Sequence, residues 1–349
     1  MAALAFAFVL AGPAAASAAS DVRHAGDSTR TAADVRSYWT PQRMENAKPV
    51  GPLKVSAPAP ATAEEAPTLQ AGSIPYTSGE LTDTVSFPNR VHGKVFFSRS
   101  GGNFVCSGTA VNAPNLSLVI SAGHCVRNDG VWASNWAFVP GYRNGSRPYG
   151  TWAATDIAAP SPWVTSEDLR YDVGTAVVAA NGSGQALQSV VGARAILFNQ
   201  PEPVSGAVRS FGYPAQAPFN GSKLRFCDSS LGYRDPLTSD PQTMGIGCDM
   251  TGGSSGGGWV AGDSVISVNS YGRPSNPEVM HGPYFGSTIQ ALYDAVDGEA
   301  AGGPTSPAAG PTTTAPSQPA AISRKKCKKR KKQSGTTKRG RKKRCKRVR

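Results

Sequence analysis

Short apolar or alternating runs, separated by Gly, Pro, Asn and Asp, fill the chain from about residue 75 to residue 298. Runs of this kind, rich in β-branched and aromatic side chains, are typical of the strands of sandwiches and barrels. We therefore predict strands in five places: Gly93–Phe97 (GKVFF), Leu118–Ser121 (LVIS), Trp136–Val139 (WAFV), Val173–Ala180 (VGTAVVAA) and Ser264–Val268 (SVISV).

One helix is predicted near the end of this region. Apolar residues recur there at the i, i+3, i+4, i+7 spacing of a helix face, and Ser287 or Thr288 is placed to cap the first turn. The apolar positions are Ile289, Leu292, Tyr293 and Val296. The predicted fold class is all-β with a C-terminal helix.

The segments on either side of this region differ in composition. Residues 21–74 are polar, rich in Pro and Ala and without sustained periodicity, which predicts a loosely ordered leader or pro-segment. Residues 299–323 have the Gly/Pro/Ala/Thr composition of a linker. The predicted organisation is therefore a leader, one domain over 75–298, a linker, and a tail over 324–349.

Residues 1–20 have the features of a secretory signal peptide. An apolar run, Leu4–Leu10, is followed by small residues with two suitable cleavage contexts, although no Lys or Arg precedes the run. We predict export. No stretch reaches the roughly 18 to 20 apolar residues that a membrane-spanning helix needs, which excludes an integral membrane protein of that kind.

The basic charge of the chain is confined to its end. The formal net charge is +13, but 17 of the 36 Lys and Arg residues lie in 324–349, which contain no Asp or Glu. The other 19 basic residues face 23 acidic ones, so the rest of the chain carries −4. The tail is either an anchor for an anionic cell-envelope polymer, lipid surface or nucleic acid, or a solvated segment without a dedicated partner. Because it has no aromatic residue for base stacking, sequence-specific nucleic-acid recognition is not expected.

The six cysteines fall into three local pairs. In an oxidising compartment such pairs form disulfides rather than metal sites, and none has the CxxC spacing of a zinc ligand set. We therefore expect three disulfides and no metal. The pairs are Cys106 with Cys125, Cys227 with Cys248, and Cys327 with Cys345.

Two motifs are typical of nucleophilic catalysis by a serine. A serine hydroxyl is a weak nucleophile unless a base lies within hydrogen-bond reach, and histidine titrates in the right range. His124 lies in ISAGHC, and Ser255 lies in the glycine-rich run GGSSGGGW. We assign His124 as the base and Ser255 as the nucleophile, with Ser254 as the alternative because the serine is doubled.

A carboxylate and two amides complete the expected site. A buried carboxylate must fix the histidine tautomer, and we assign this role to Asp172 because it directly precedes a predicted buried strand, unlike Asp156 and Asp168. The glycines around the nucleophile let the backbone turn sharply. The amides of Gly253 and Ser255 are then expected to hold the oxyanion of a tetrahedral intermediate.

The His, Asp, Ser order of these motifs resembles the chymotrypsin-like serine endopeptidases, and within them the secreted bacterial glutamyl-endopeptidase-like branch. ISAGHC is similar to the family's T-A-A-H-C and GSSGG to its G-D-S-G-G, and the similarity covers about residues 90–295. The resemblance implies two six-stranded antiparallel β-barrels with the site in the cleft between them, and hydrolysis through an acyl-enzyme. It also implies that Cys106 and Cys125 tie the histidine loop to the first barrel and that Cys227 and Cys248 brace the nucleophile loop.

The chain departs from the animal enzymes of the family just before the nucleophile. Those enzymes carry an Asp that pairs with a freed N-terminal amine on activation, whereas this chain has Ser254. Activation by that ion pair is not expected. Whether the leader inhibits the enzyme is left as a hypothesis.

The resemblance also indicates the substrate-binding residues without fixing the specificity. Asp249 stands six residues before Ser255, as in trypsin-like enzymes that cleave after Arg or Lys, but glutamyl-type relatives have a structural Asp at this spacing. Asn269 replaces the histidine with which the glutamyl branch binds a carboxylate. The segment of Ser270 and Gly272, with Gly282, implies an open pocket. Cleavage after a small or apolar residue, after Arg or Lys, and after Glu all stay open, with Glu the least favoured.

The sequence thus predicts a secreted, monomeric serine endopeptidase that needs no cofactor and acts on protein or peptide substrates, with possible attachment to the cell surface. The alternative is a surface-anchored polyanion-binding protein with a degenerate protease domain. The other histidines, His24, His92 and His281, are interpreted as structural or surface residues, with His281 near the cleft.

Overall fold

Two large antiparallel sheets dominate the structure, a computed structural model that describes residues 22–25, 30–50, 53, 74–201, 206–274 and 276–297. The predicted signal peptide, the linker and the basic tail lie outside the described residues. None of the described helices is long and apolar enough to cross a membrane.

The elements follow one another as a leader, a first barrel and a second sheet. The leader contains β1 (Val22–Ala25), α1 (Ala32–Tyr38), α2 (Pro41–Glu45) and β2 (Lys48–Pro49). After β3 (Tyr76–Glu80) come β4 (His92–Arg99), β5 (Gly102–Ala110), β6 (Leu118–Ser121), β7 (Arg127–Asn128), β8 (Val131–Trp132), β9 (Ser134–Pro140), β10 (Trp152–Pro160), α3 (Ser161–Ser166), β11 (Gly174–Val178) and α4 (Leu187–Val191). The remaining elements are β12 (Ala195–Ile196), β13 (Ala207–Gly212), β14 (Arg225–Arg234), β15 (Met244–Gly247), β16 (Gly258–Ala261), β17 (Ser264–Val268), β18 (Tyr271–Arg273), β19 (Asn276–Gly282) and α5 (Ser287–Asp297). Short 3₁₀ turns lie at Asn89–Val91, Gly123–Cys125 and Leu169–Tyr171.

The first sheet closes into a six-stranded antiparallel barrel. Its strands follow the order β4–β5–β6–β11–β10–β9, and β9 pairs again with β4. Closure removes the unpaired edges that an open sheet would expose. The interior is filled by side chains of a buried cluster that includes Val95, Phe97, Val119, Phe138 and Trp152.

The second sheet contains the six strands of the second barrel. Six antiparallel strands follow the order β17–β16–β13–β14–β15–β19, with β18 beside β19, β12 beside β17 and β3 beside β14. The C-terminal helix α5 packs its apolar residues Ile289, Leu292 and Val296 into the core cluster that contains residues of both sheets, such as Phe96 and Phe211. The two-barrel fold class and the C-terminal helix predicted from the sequence are confirmed, and all five predicted strands overlap observed ones.

Two of the three expected disulfides are present in the described part of the chain. Cys106 bonds to Cys125, which joins β5 to the 3₁₀ turn after β6. Cys227 bonds to Cys248, which joins β14 to the loop that leads to Ser255.

The third expected disulfide differs from the other two, because the structure does not bear on it. Cys327 and Cys345 both belong to the tail, which lies outside the described residues. The bond between Cys327 and Cys345 therefore stays a prediction from the sequence alone.

The expectation of a loosely ordered leader is wrong for residues 30–50. Thr31 caps α1 and Thr40 caps α2, with Pro41 in the first turn where its missing N–H costs nothing. Trp39 is 1% exposed, and its Nε1 donates to the Asn135 carbonyl at 2.6 Å. Val35 and Met44 are buried as well, so a few apolar side chains outweigh the polar, proline-rich composition that favoured disorder.

A buried tryptophan also positions the turn that follows β6. Trp163 is fully buried, and its Nε1 donates to the Arg127 carbonyl at 2.9 Å. A Cβ on Gly123 would lie 2.8 Å from the Trp163 ring, so the turn rests directly on the indole. The ring centroids of Trp163 and His124 are 6.4 Å apart.

We predict that Trp163→Ala lowers the free energy of unfolding by about 3–5 kcal/mol, because it leaves a large cavity beneath this turn. Urea unfolding followed by circular dichroism measures the loss. The matched control is Trp132→Ala, since Trp132 is only partly buried. Equal losses in the two variants would contradict the role given to Trp163.

Candidate active site

His124 lies on the 3₁₀ turn that follows β6. Its ring is almost fully buried, and the neighbouring Cys125 is held to β5 by its disulfide with Cys106. The Trp163 indole supports the turn from below. The disulfide and the indole therefore both hold the turn that carries the imidazole.

Asp172 is brought to His124 by strand pairing. It stands two residues before β11, and Gly174 of β11 pairs with Ser121 of β6. The fully buried Asp172 carboxylate accepts hydrogen bonds from the His124 backbone N–H and from Nδ1, both at 2.8 Å. Because a carboxylate only accepts, Nδ1 carries the proton and Nε2 keeps its lone pair in the neutral ring. Nε2 has no hydrogen-bond partner in the described structure.

The other two aspartates considered from the sequence are engaged elsewhere. Asp156 bonds to Nδ1 of His24 at 2.8 Å, and Asp168 pairs with Arg170. Neither contacts His124 in the described structure.

The loop between β15 and β16 carries Ser255 to the same place. The Ser255 carbonyl accepts a hydrogen bond from the Ser107 amide of β5 at 2.7 Å. The next residue, Gly256, has φ +81°, and a Cβ there would lie 2.1 Å from Ser121 Oγ and 2.6 Å from the Ala122 amide. Only glycine allows this approach, which presses the serine loop against the residues just before His124.

The geometry separates the two adjacent serines. Ser254 is 1% exposed, and its Oγ donates to the Thr251 carbonyl at 2.8 Å. Ser255 is 9% exposed, and no hydrogen bond to its Oγ is found among the described residues. Of these two hydroxyls, that of Ser255 is the one left without a hydrogen bond among the described residues.

The backbone amides from Gly253 to Gly257 differ in whether they are bonded within the protein. Three of them donate within the protein: Ser254 to Thr251 at 3.2 Å, Gly256 to Asn269 at 2.7 Å and Gly257 to Ser254 at 3.0 Å. The amides of Gly253 and Ser255 have no protein acceptor in the described part of the chain. Gly253 adopts φ +98°, a conformation open to glycine. Two unbonded amides on one loop form a suitable site for a developing negative charge.

A cavity of about 380 Å³ lies beside Ser255. One side is formed by Ser270, Gly272 and the residues that follow. The apolar part of the lining comes from Met250, Val279 and Met280, together with Leu53 of the leader. No aspartate or glutamate of the described chain lines this cavity.

Among the residues predicted to bind substrate, Ser270 and Gly272 line the cavity, whereas Asp249, Asn269 and Gly282 do not. Asp249 accepts from Ser78 Oγ on β3 at 2.7 Å. Asn269 is fully buried and bonds to protein groups through both ends of its amide, including Trp259 Nε1 and the Phe211 carbonyl. A Cβ on Gly282 would meet the Val268 carbonyl at 2.4 Å, so this glycine serves the packing of β19.

Ser270 has a second contact that the sequence did not indicate. Its Oγ donates to Asp172 Oδ2 at 2.5 Å. The Asp172 carboxylate therefore accepts from the second sheet as well as from His124.

A buried ion pair behind the cavity was also missed. Arg273 Nη2 and the Tyr271 hydroxyl each lie 2.6 Å from Asp235 Oδ2, and His281 stacks on Tyr271 with 4.6 Å between ring centroids. Burial would raise the pKa of Asp235, but hydrogen bonds from Tyr271 and Arg273 outweigh it and hold that pKa below its usual value. Burial lowers the pKa of His281 to about 4, so its ring is neutral near pH 7. These residues lie more than 35 positions from Asp235 in the sequence, so no local motif could reveal the network.

Among the described residues, two groups of side chains have the spacing of metal ligands, but both depend on bonded cysteines. One contains Cys106, His124 and Cys125, and the other contains Cys227, Cys248 and Asp249. A disulfide sulfur offers no thiolate to a metal. Neither group is suited to hold an ion in the oxidised protein.

Comparison with known proteins gives no matching family model and no matching curated protein. Solved structures do match. Protease Anisep from Arthrobacter nicotinovorans is 41% identical over 64% of this chain and all of its own length, with a TM-score of 0.58. The thermostable serine protease AL20 from an extremophilic microorganism is 42% identical over 60% of this chain and 97% of its own, with a TM-score of 0.56. A Glu endopeptidase, 17% identical over 64% of this chain and 97% of its own, has a TM-score of 0.50 and shows the fold alone.

The chain is more than 40% identical to a solved protease over the full length of that protease, and it has a fold of two antiparallel barrels. This similarity shows a family relationship and not only a shared fold. The chain belongs to the chymotrypsin-like serine peptidases, and it is a peptide hydrolase.

Proposed function

We propose that this peptidase is an exported endopeptidase in which Ser255, His124 and Asp172 form the catalytic triad. The observation that supports this proposal most is the hydrogen bonding of His124. Asp172 accepts from both its backbone N–H and its Nδ1, while Nε2 stays without a partner in the described structure, beside the loop of Ser255. This is the arrangement that a general base for a serine requires.

The chemistry follows from the positions of these groups. Ser255 Oγ attacks the scissile carbonyl carbon while its proton passes to His124 Nε2. The carbonyl oxygen becomes an oxyanion and accepts from the amides of Gly253 and Ser255. The tetrahedral intermediate then breaks its C–N bond, and the leaving amine takes the proton from Nε2, which leaves an acyl-enzyme. A water molecule repeats the two steps and releases the acid and the free Ser255.

Asp172 and Ser270 keep the His124 ring oriented and stabilise its charged form during this cycle. The buried carboxylate stabilises the imidazolium that forms when Nε2 is protonated. Ser270 Oγ is a third donor to that carboxylate and fixes its orientation from the second sheet. We infer that Ser270 is a positioning residue as well as part of the cavity wall.

The cavity favours an apolar side chain on the acyl side of the cut bond. Met250, Val279 and Met280 offer apolar surface, and no acidic residue of the described chain lines the cavity to pair with Arg or Lys. Asp249, which suggested trypsin-like specificity, is bonded to Ser78 instead. An acidic substrate side chain would find one cationic residue among the described residues that line the cavity, Arg273, and Asp235 already pairs with it.

Surface attachment is inferred from the sequence alone, and export from the sequence together with the disulfides. The signal-peptide pattern of residues 1–20 and the two disulfides support a secreted protein. The 17 basic residues of 324–349 support an anchor for an anionic polymer, and a chain without them should then no longer be retained on an anionic matrix. The alternative of a degenerate, purely binding protein is disfavoured because the His124–Asp172 pair and the Ser255 hydroxyl are intact.

We expect Ser255→Ala to abolish peptide cleavage. Protein recovered from the medium of an expressing culture would be incubated with a diverse peptide mixture, and the products sequenced by mass spectrometry. Ser254→Ala is the matched control and should retain most of the activity, because its hydroxyl only bonds to Thr251. Loss of cleavage in Ser254→Ala alone would exchange the roles of the two serines, and no cleavage by the parent would favour the binding protein.

The same peptide mixture reports the specificity. We expect cuts after apolar residues, with the pattern unchanged in Asp249→Asn, because that carboxylate does not line the cavity. Cuts after Arg or Lys that disappear in Asp249→Asn would instead show that Asp249 reaches the substrate.

We expect Ser270→Ala to lower kcat/KM by about tenfold to a hundredfold, since a hydrogen bond to a charged group is worth about 1.5–3 kcal/mol. Most of the loss should fall on kcat, because Ser270 acts through Asp172. Ser267→Ala is the control: it removes a buried hydroxyl that bonds only to the Pro283 carbonyl. An equal loss in both variants would make the effect of Ser270 a general structural one.

A further inference from the structure

The leader is docked firmly against the first barrel. The Trp39 indole donates to the Asn135 carbonyl, and the Tyr38 hydroxyl donates to Asn103 Oδ1 at 2.8 Å. Met44 of α2 is also buried. These contacts of α1 and α2 with the first barrel therefore determine where the chain runs after α2.

From there the leader enters the cleft. β2 pairs in parallel with β5, with Lys48 beside Phe104 and Pro49 beside Val105. The Val50 amide then lies 3.4 Å from the Val105 carbonyl.

Past β2 the leader reaches the serine loop and the cavity. A Cβ on Gly252 would lie 2.8 Å from the Val50 carbonyl, so the leader touches the loop that carries Ser255. Leu53 lines the cavity together with Ser255 and Met250. An apolar side chain of the leader thus stands where we place the substrate side chain.

The direction of a substrate across this cleft follows from the chemistry. Its acyl part must lie at Ser255 and the cavity, whereas its leaving amine must reach His124, which returns the proton. Along β5, Ser107 donates to the Ser255 carbonyl, and Cys106 is bonded to Cys125 beside His124. Val105 comes one residue before Cys106, on the side away from Ser107. A substrate therefore runs from the cavity towards Val105 of β5, from its N-terminal to its C-terminal side.

The leader runs the other way. Residues 48–50 lie along β5 and Leu53 lies at the cavity, so the chain passes from the leaving-group side to the acyl side. A reversed chain fills the cleft but does not present a peptide carbonyl with its amine towards His124.

We propose that residues 48–50 and 53 occupy the cleft as a built-in inhibitor bound opposite to the substrate direction, an inference that rests on the proposed function. The reversed direction protects the leader from the enzyme that it covers. The inhibition needs no ion pair with a new N-terminus, which agrees with Ser254 standing in the place of the family's Asp. Release then requires that these residues leave the cleft.

The test measures how fast Ser255 reacts in the intact chain. Full-length refolded protein with its disulfides oxidised would be treated with a fluorescent fluorophosphonate, which bonds its phosphorus to Ser255 Oγ and loses fluoride. The rate is read from the full-length band on a gel, so processed chains do not contribute. Ser255→Ala sets the background.

Two leader variants should raise this rate by about tenfold or more. Leu53→Glu places a charge against the apolar cavity, and Val50→Pro removes the N–H that faces Val105. Leu197→Glu is the matched control, because Leu197 is 40% exposed in the segment after β12. It should react at the rate of the parent.

The outcomes separate this inference from the proposed function. Equal rates in parent, Leu53→Glu and Val50→Pro, with normal labelling of the protein from culture medium, overturn the inhibitor alone. No labelling of any chain, the medium protein included, overturns the proposed function and the inhibitor with it. A self-made cut between residues 48 and 53, found by mass spectrometry of the parent but not of Ser255→Ala, overturns the reversed direction.

Discussion

The buried Asp172 carboxylate is the interaction on which the rest of the site depends. A charge taken out of water costs several kcal/mol unless hydrogen bonds replace its hydration. No Lys or Arg bonds to this carboxylate in the described structure. Its donors are the His124 backbone N–H, His124 Nδ1 and Ser270 Oγ. The carboxylate is satisfied only when the histidine turn, the residues just before β11 and the connection between β17 and β18 are all in place, so the two sheets must be correctly docked.

The serine loop is held to the same seam by different means. Ser107 of β5 donates to the Ser255 carbonyl, and Gly256 lies against Ser121 and Ala122 of the first barrel. A site divided between two sheets would ordinarily be sensitive to small shifts of one against the other. Backbone contacts across the seam, made through a glycine without a side chain, reduce that sensitivity.

The sequence predicted well what depends on local pattern and poorly what depends on the distant chain. Short apolar runs predicted the strands, and the i, i+3, i+4, i+7 spacing predicted α5, because each reflects burial of one element. The choice of Asp172 over Asp156 and Asp168 rested on the strand that follows it, and this aspartate is the one that contacts His124.

Asp249 shows what sequence spacing cannot predict. Its position six residues before Ser255 is the same whether its carboxylate enters the cavity or turns away. In the structure the carboxylate turns away and accepts a hydrogen bond from Ser78, which lies 171 residues earlier in the chain. The order of the leader was missed for a similar reason. Composition averages over residues 21–74, whereas order in 30–50 depends on a few side chains, such as Tyr38 and Trp39, that bond to the first barrel.

If the cavity holds the substrate side chain, as proposed above, the ion pair behind it bears on specificity as well as on stability. Asp235 and Arg273 cancel each other's charge within the wall, with the neutral His281 and Tyr271 stacked beside them. The cavity therefore presents little net field to a substrate side chain. A cation would lose its hydration without gaining a carboxylate, and an anion would compete with Asp235 for Arg273. What remains is burial of apolar area, about 25 cal/mol for each Å² removed from water, and this favours side chains that match Met250, Val279 and Met280. The leader's Leu53 at the same cavity is consistent with that preference, since the same apolar surface would stabilise an inhibitor and a substrate alike.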